Sequence, residues 1–194
     1  MQPISTKQDQ STATQVLAEA YQQASNINWA VDSSSKKLNY FFSSLLKDAI
    51  AKDGAYLTSN SRGVLLLYNM KARSRSISSV FRKLHLMIFL IGIKKSTQLM
   101  KLEKLKNKLR PKSGLYGMAL AILNDEHRWQ TALEVKRGFL ELSKKKQLPI
   151  YAETTNERIV KLYETIGFDT YHKMRHPYTE LNVWFMKMES RPEN

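Results

Sequence analysis

The spacing of apolar residues over the first 54 positions predicts two helices. Residues 1–10 lack a regular pattern, and we expect them to form a flexible tail. Ser11 or Thr12 is placed to cap a first helix, whose apolar positions are Val16, Leu17, Ala20, Tyr21 and Ala24. Ser35 is placed to cap a second helix and Gly54 to end it, and the apolar face of this helix consists of Leu38, Phe41, Phe42, Leu45, Leu46 and Ala49.

The next segment has the pattern of paired strands. Residues 55–69, AYLTSNSRGVLLLYN, contain two apolar runs on either side of the turn-rich stretch 59–63, which predicts a β-hairpin. The continuous run VLLL indicates that the second strand is covered on both of its faces.

Helical spacing returns from residue 76 to Pro111, with an interruption at Gly92. Cationic residues lie between the apolar positions, namely Arg82, Lys83, Lys94, Lys95, Lys101, Lys104, Lys106, Lys108 and Arg110. The simplest interpretation is a pair of amphipathic helices whose outer faces are solvated. The alternative is a basic face that binds nucleic acid or a membrane, although Phe89 is the only aromatic residue between 82 and 110 that could stack on a base.

Strand and helix patterns alternate in the last part of the chain. Buried strands are predicted at 115–123 and 148–154, and two further strands at 167–173 and 181–189. The helices between them have the apolar positions Ala132, Val135, Phe139 and Leu142 in one case and Ile159, Val160, Tyr163 and Ile166 in the other. The whole order predicts an α/β protein with a mixed central sheet of about six to seven strands flanked by helices. We expect residues 11–194 to form a single domain.

Composition narrows the classes of partner and compartment. The chain has 31 Lys and Arg against 17 Asp and Glu, a net charge of +14, which favours polyanions or phosphorylated small molecules as ligands. The absence of cysteine fits a reducing compartment such as the cytoplasm, and the first residues carry no evident export signal. The most apolar stretch, residues 84–93, is far shorter than the roughly 20 residues of a membrane-spanning helix.

The most informative segment is YAETTNERIVKLYETIGF, residues 151–168. A predicted strand ends at Glu153-Thr154-Thr155-Asn156, a short helix carries Leu162-Tyr163-Glu164, and Gly167-Phe168 follows. Together with the order of elements, this segment resembles the GNAT N-acetyltransferases, in which a strand ends near a Thr/Ser-x-Asn-like turn, a helix with Tyr-Glu comes next and Gly-Phe ends it. The element order extends the resemblance to nearly the whole chain from about residue 11.

The resemblance implies a GNAT-like fold in which the strands at 115–123 and 148–154 splay apart and bind acetyl-CoA in the gap. Backbone groups of Ala121, Ile122 and Leu123 would lie beside the pantetheine arm and the thioester. Asn156 would hydrogen-bond the cofactor from the other wall, and Tyr163 would protonate the departing CoA thiolate as a general acid. The implied activity is direct transfer of an acetyl group from acetyl-CoA to a primary amine.

Plainer interpretations of the same two residues come from local pattern alone. Tyr163 is also an aromatic residue on the buried face of a short helix. Asn156 is also a turn or cap residue, and Thr154 and Glu157 have the spacing of a capping box.

One family motif is degenerate in this chain. The family binds the CoA pyrophosphate with Gln/Arg-x-x-Gly-x-Gly/Ala, and aligning Arg128 with the first position puts Thr131 and Leu133 at the glycines. Two outcomes follow. Either the helix start still binds pyrophosphate through an altered loop, with the contacts Arg128, Trp129, Gln130, Thr131, Ala132 and Leu133, or Trp129, Gln130 and Leu133 fill the groove and the chain is a non-catalytic binding module on the same fold.

Other titratable residues show no pattern of a site. Asp125, Glu126 and His127 are expected to form an ordinary solvated loop, and the histidines and acids have no metal-ligand spacing. The alternatives to an acetyltransferase are therefore the non-catalytic module and a nucleic-acid binder that uses the basic helices. The acceptor amine and the oligomeric state have no signature in the sequence.

Overall fold

The computed structural model describes residues 1–22, 24, 27, 34–71 and 92–190. The whole of the predicted helical segment before Gly92 and most of the apolar stretch 84–93 lie outside the described residues. In chain order the described elements are β1 (Gln2–Pro3), α1 (Lys7–Ala20), α2 (Ser35–Ile50), β2 (Ala55–Leu57), β3 (Gly63–Asn69), α3 (Ile93–Leu109), β4 (Leu115–Ile122), α4 (Arg128–Lys146), β5 (Ile150–Thr154), α5 (Glu157–Thr165), β6 (Asp169–Arg175) and β7 (Asn182–Met188).

The seven strands form one mixed sheet in the order β1-β2-β3-β4-β5-β7-β6. Every neighbouring pair is antiparallel except β4 and β5, which are parallel. The predicted hairpin is confirmed as β2 and β3, and Val64 to Leu67 are buried as the VLLL pattern predicted. The mixed α/β class and the number of strands are confirmed.

Two hydrophobic clusters cover the two faces of the sheet. One contains α1 and α2 side chains such as Leu17 and Phe42, together with Ala119 and Ala121 of β4. The other contains α4 and α5 side chains together with inward-facing residues of β3, β5 and β7, namely Leu65, Leu67, Val135, Phe139, Ile150, Ala152, Val160, Tyr163, Trp184 and Met186 among others. Burial on both faces fixes the register of the central strands, because a one-residue slip would exchange the two sets of side chains.

The prediction of a flexible tail at residues 1–10 is wrong. β1 pairs with β2, and the side chain of Ile4 is only 4% exposed in the α1 and α2 cluster. α1 is capped by Thr6 rather than by Ser11 or Thr12, and the Thr6 hydroxyl accepts from the Asp9 amide at 3.0 Å. Asp9 completes a capping box by accepting from the Thr6 amide. The spacing of apolar residues does not reveal a polar contact of this kind.

The ends predicted for α2 also differ from the structure. Ser34 rather than Ser35 precedes the helix, and Ala51 rather than Gly54 is its C-cap. Gly54 instead makes room for β3, because a Cβ built there would lie 2.3 Å from the carbonyl oxygen of Leu67. This glycine is therefore needed for close approach of two backbones and not for ending the helix.

Candidate functional site

The parallel strands β4 and β5 pair over a short stretch and then separate. The paired positions are Leu115 with Ile150, Tyr116 with Tyr151 and Gly117 with Ala152. β4 then continues from Met118 to Ile122 beside β3, whereas β5 continues to Thr154 beside β7. A gap therefore opens between the C-terminal ends of the two strands.

A β-bulge in β4 accounts for this separation. Leu66 of β3 lies opposite Ala119, and the next residue, Leu67, lies opposite Gly117, so that Met118 is an extra residue in β4. An extra residue bends the strand that carries it and increases its twist. The bend comes directly after the last β4 residue that pairs with β5, and it turns the rest of β4 away from β5.

Leu120 and Ile122 direct their backbone N–H and C=O groups into the gap. The Leu123 amide donates to the Arg62 carbonyl on the β3 side, and backbone groups alternate in direction along a strand. The backbone groups of Ala121 and Leu123 consequently point toward β3. Of the three predicted backbone contacts with the cofactor, only Ile122 directs its backbone groups into the gap. The backbone groups of Ile122 have no hydrogen-bond partner among the described residues.

The backbone groups of Leu120 are already hydrogen-bonded to a side chain from the N-terminal part of the chain. The Tyr21 hydroxyl donates to the Leu120 carbonyl at 3.0 Å and accepts from the Leu120 amide at 3.3 Å. Tyr21 is the C-cap residue of α1, and its ring lies 5.1 Å from that of Phe42. Apolar spacing predicts Tyr21 on the apolar face of a helix but gives no sign of this contact, because only the fold brings residues 21 and 120 together.

Tyr163 approaches from the opposite face of the sheet. It lies on the buried side of α5, is 7% exposed and stacks on Phe168 with ring centroids 5.0 Å apart. Its hydroxyl has no hydrogen-bond partner among the described residues, which is unusual for a buried phenol. Burial raises the pKa of Tyr163, and the phenol of Tyr21 raises this pKa further. Tyr21 acts on this pKa although the two residues pack in different clusters, on opposite faces of the sheet.

Asn156 caps α5 at the end of β5. Its side-chain oxygen accepts from the Arg158 amide at 2.9 Å, and its own amide donates to the Thr154 hydroxyl. The cap residue is thus Asn156 and not Thr154, so the capping box that the spacing of Thr154 and Glu157 suggested is not formed. The side-chain amide nitrogen of Asn156 is exposed and has no partner among the described residues.

The start of α4 carries most of the remaining predicted contacts. No side chain caps this helix, and the amides of Trp129 and Gln130 have no acceptor among the described residues. The Trp129 side chain is 72% exposed and Leu133 is 39% exposed. The outcome in which Trp129 fills the groove is therefore wrong, because its ring lies in solvent beside the helix end.

Thr131 differs from the other predicted contacts because it is fully buried. Its hydroxyl accepts from the Asn60 side chain at 2.9 Å and donates to the His127 carbonyl at 3.0 Å, and its amide also donates to His127. Its methyl group needs the space at Gly63, where a Cβ would lie 2.7 Å away. Thr131 has no free polar group for a cofactor and fastens α4 to the sheet, which corrects its predicted role. Ala132 is half-buried on the same turn.

The loop before α4 is held by a carboxylate. Asp125 accepts from the His127 amide at 2.9 Å and pairs with Arg62 at 2.6 Å. Arg128 is exposed, and its guanidinium donates to the Asn124 side chain. Asp125 is thus a loop-forming residue, and Arg128 places a positive charge at the positive end of the helix dipole.

A partly buried group of charged residues fastens α3 to β5. We call Glu103, Lys106, Arg110 and Glu153 the α3 ion cluster. Arg110 and Lys106 both pair with Glu153, whose side chain is only 8% exposed, and both also reach Glu103. The guanidinium of Arg110 lies 4.7 Å above the Tyr116 ring. Burial alone would raise the pKa of Glu103, but Lys106 and Arg110 outweigh it and the pKa is lowered.

Glu153 belongs to the segment 151–168, on which the resemblance to the GNAT enzymes rests, so its ion pairs limit the role that it can have in catalysis. Its carboxylate is fully engaged by two cations and is therefore not a free general base. No three histidine and acidic side chains within the described ranges come together as a metal site. Across the same ranges, no helix has the length and apolar character that crossing a membrane requires.

Comparison with known proteins supports the fold. No protein-family model matches the chain, and no curated protein matches it. Among solved structures, the histone acetyltransferase HPA2 and related acetyltransferase from Corynebacterium glutamicum is similar, with a TM-score of 0.65 at 16% identity, covering 98% of this chain and 95% of that one. Arylalkylamine N-acetyltransferase 2 from Aedes aegypti gives a TM-score of 0.62 at 13% identity and covers 98% of both chains.

A third similar structure is the C-terminal condensation domain of Ebony, solved in complex with beta-alanyl-dopamine. Its TM-score is 0.65 at 11% identity, and 97% of each chain is covered. Matches that extend over nearly the whole length show that the chain has the fold of the GNAT-type acetyltransferases, as the segment 151–168 indicated.

Proposed function

We propose that the protein is an N-acetyltransferase that moves an acetyl group from acetyl-CoA to a primary amine by direct transfer. The observation that carries this proposal is the gap between β4 and β5, which has an open strand edge on one side and an unpartnered buried phenol beside it. In a folded protein the backbone groups of a strand and a buried hydroxyl normally have hydrogen-bond partners. Leaving them without partners costs free energy, which a bound ligand can recover.

The groups around the gap fit the pantetheine arm of CoA. This arm carries two amides, and the C=O of one and the N–H of the other can pair with the N–H and C=O of Ile122, which have no partner among the described residues. The exposed amide nitrogen of Asn156 is a further donor at the end of β5. These contacts would leave the thioester near the Tyr163 hydroxyl.

The start of α4 fits the pyrophosphate of CoA despite the missing glycines. The amides of Trp129 and Gln130 have no acceptor in the described ranges, and helix N-termini attract anions through such amides and through the helix dipole. Arg128 adds a full positive charge there, and the Trp129 ring is turned to solvent. Because Thr131 points into the protein, the residue at the first glycine position does not block this end of the helix.

Tyr163 supplies the proton in this proposal. Acetyl-CoA provides an acetyl group activated as a thioester, and the amine nitrogen attacks its carbonyl carbon while the C–S bond breaks. The raised pKa of Tyr163 keeps the phenol protonated and uncharged at neutral pH until it donates to the departing sulfur. The proton that the amine nitrogen loses on forming the amide passes to solvent, from which the phenolate is protonated again. The chain has no cysteine for a thioester intermediate on the enzyme, in keeping with direct transfer.

The class of acceptor is supported by names among the structural neighbours. These include arylalkylamine N-acetyltransferases and an agmatine N-acetyltransferase, and each of these names states an amine as the substrate. We therefore propose a primary amine as acceptor and leave its side group open.

Release of the CoA thiol tests this proposal with a low background, because the chain itself contains no thiol. Wild-type protein, acetyl-CoA and a panel of arylalkylamines and polyamines are expected to release thiol in an amine-dependent manner. Tyr163→Phe should lower kcat about 10²- to 10⁴-fold while the Kd for acetyl-CoA changes little. Tyr171→Phe, which removes a half-exposed phenol from β6, is the matched control and should retain full activity. An unchanged kcat in Tyr163→Phe would remove the proposed acid.

A further inference from the structure

We infer that the Tyr21 hydroxyl holds the place on β4 that a ligand amide must take, so that Tyr21 competes with the cofactor for the gap. This inference rests on the proposed function, since it concerns the same gap. It adds a residue that determines how tightly the gap binds its cofactor.

The hydrogen bonds of Tyr21 imitate those of a neighbouring strand. A paired residue on an adjacent strand would satisfy both the N–H and the C=O of Leu120. A single hydroxyl does this here, because it donates to the carbonyl at 3.0 Å and accepts from the amide at 3.3 Å. Both backbone groups that Leu120 directs into the gap are therefore paired with Tyr21.

Ile122 shows what the same strand edge offers where no side chain intervenes. It lies two residues further along β4, its backbone groups point the same way as those of Leu120, and they have no partner within the part of the chain that the structure describes. A ligand with amides spaced along an extended arm can pair with Ile122 at once. Such a ligand can pair with Leu120 only if it displaces the Tyr21 hydroxyl from the Leu120 backbone.

The position of Tyr21 makes this displacement feasible. Tyr21 is the C-cap residue of α1 and lies outside the helix itself, so a change of its side-chain rotamer breaks no hydrogen bond within α1. Its ring is held by contact with Phe42 and with the α1 and α2 cluster. Rotation of the side chain about its two torsions therefore frees Leu120 without unfolding the helix.

The test compares the affinity of wild type and Tyr21→Phe for CoA by calorimetry on the full chain. The substitution keeps the ring and removes the competing hydroxyl, so the Kd for CoA should fall about fivefold or more. Tyr56→Phe is the matched control, because its hydroxyl donates to the Asp53 carbonyl at 3.0 Å, away from the gap on β2, and its Kd should equal that of wild type.

Each outcome decides the inference. Binding by both proteins, with a Kd for CoA at least fivefold lower in Tyr21→Phe than in wild type, would support it. If wild type binds and Tyr21→Phe binds equally well or more weakly, the proposed function stands and the competition by Tyr21 is refuted. If neither protein binds, both proposals fail.

A second measurement covers the case in which Tyr21→Phe does not fold. In a crystal structure of the wild type with CoA, we expect the Tyr21 hydroxyl to have left Leu120 and amide groups of the pantetheine arm to pair with the N–H and C=O of Leu120. CoA in the gap with the 3.0 Å bond between Tyr21 and Leu120 intact would overturn the inference.

Discussion

Replacing Glu153 by glutamine perturbs the α3 ion cluster with almost no change in side-chain size. The substitution removes the charge that pairs with both Lys106 and Arg110, whose side chains are only 16% and 14% exposed. Two cations then remain buried, with Glu103 as their one acidic partner in the cluster. The charge on Glu153 should therefore contribute clearly to the free energy of unfolding.

The magnitude follows from burial and from the contact that survives. Breaking a buried ion pair by removing one partner costs about 3–5 kcal/mol. Glu103 still pairs with Lys106 at 2.9 Å and with Arg110 at 2.8 Å, so the loss should be smaller, about 2–3 kcal/mol. For a chain of this length, that loss corresponds to a fall in Tm of about 4–12 °C.

Urea denaturation followed by circular dichroism measures the change, with Glu180→Gln as the matched control. Glu180 pairs with Arg175 in solvent, where the two side chains are 89% and 71% exposed. An exposed pair of this kind contributes at most about 1 kcal/mol, and we expect a loss below half of that. Equal midpoints for Glu153→Gln and Glu180→Gln would refute the conclusion that the α3 ion cluster holds α3 against β5.

Two further predictions concern the cofactor site and the effect of acid. Arg128→Ala should raise the Kd for acetyl-CoA about three- to tenfold, and less at high salt, whereas Arg137→Ala, about 13 Å further along α4, should leave it unchanged in the same titration. Glu103 has a lowered pKa in the folded state, so its contribution to stability is complete above its ordinary value of 4.5 and is lost as the pH falls through the folded-state pKa. Urea midpoints of the wild type should therefore fall more steeply below pH 4.5 than those of Glu103→Gln, and parallel curves would contradict this.

The fold was largely accessible from the sequence because its strongest elements have local patterns. The hairpin at 55–69, the buried strand β4 and the motif at 151–168 each show in consecutive residues what the sheet later confirms. The N-terminal residues were misjudged because a two-residue edge strand has no period to detect. Its order comes from pairing with β2, which sequence spacing does not show.

The candidate site was less accessible because its decisive contacts are distant in sequence. The bulge at Met118 is a mismatch in register between two strands and leaves no signal in either strand alone. The Tyr21 contact joins residues 99 positions apart, and the Glu153 contact with Arg110 joins residues 43 apart. The motif predicts Tyr163 and Asn156 as site residues, but whether a neighbouring acid such as Glu153 is free or paired depends on the whole tertiary structure.

The central claim is that the gap between β4 and β5 accepts acyl-CoA, and calorimetric titration of the wild type with CoA and acetyl-CoA tests it most directly. We predict saturable heat at a stoichiometry of one ligand per chain, together with a rise in Tm as ligand is added. The absence of both heat and thermal shift at millimolar concentrations of either ligand would contradict the account.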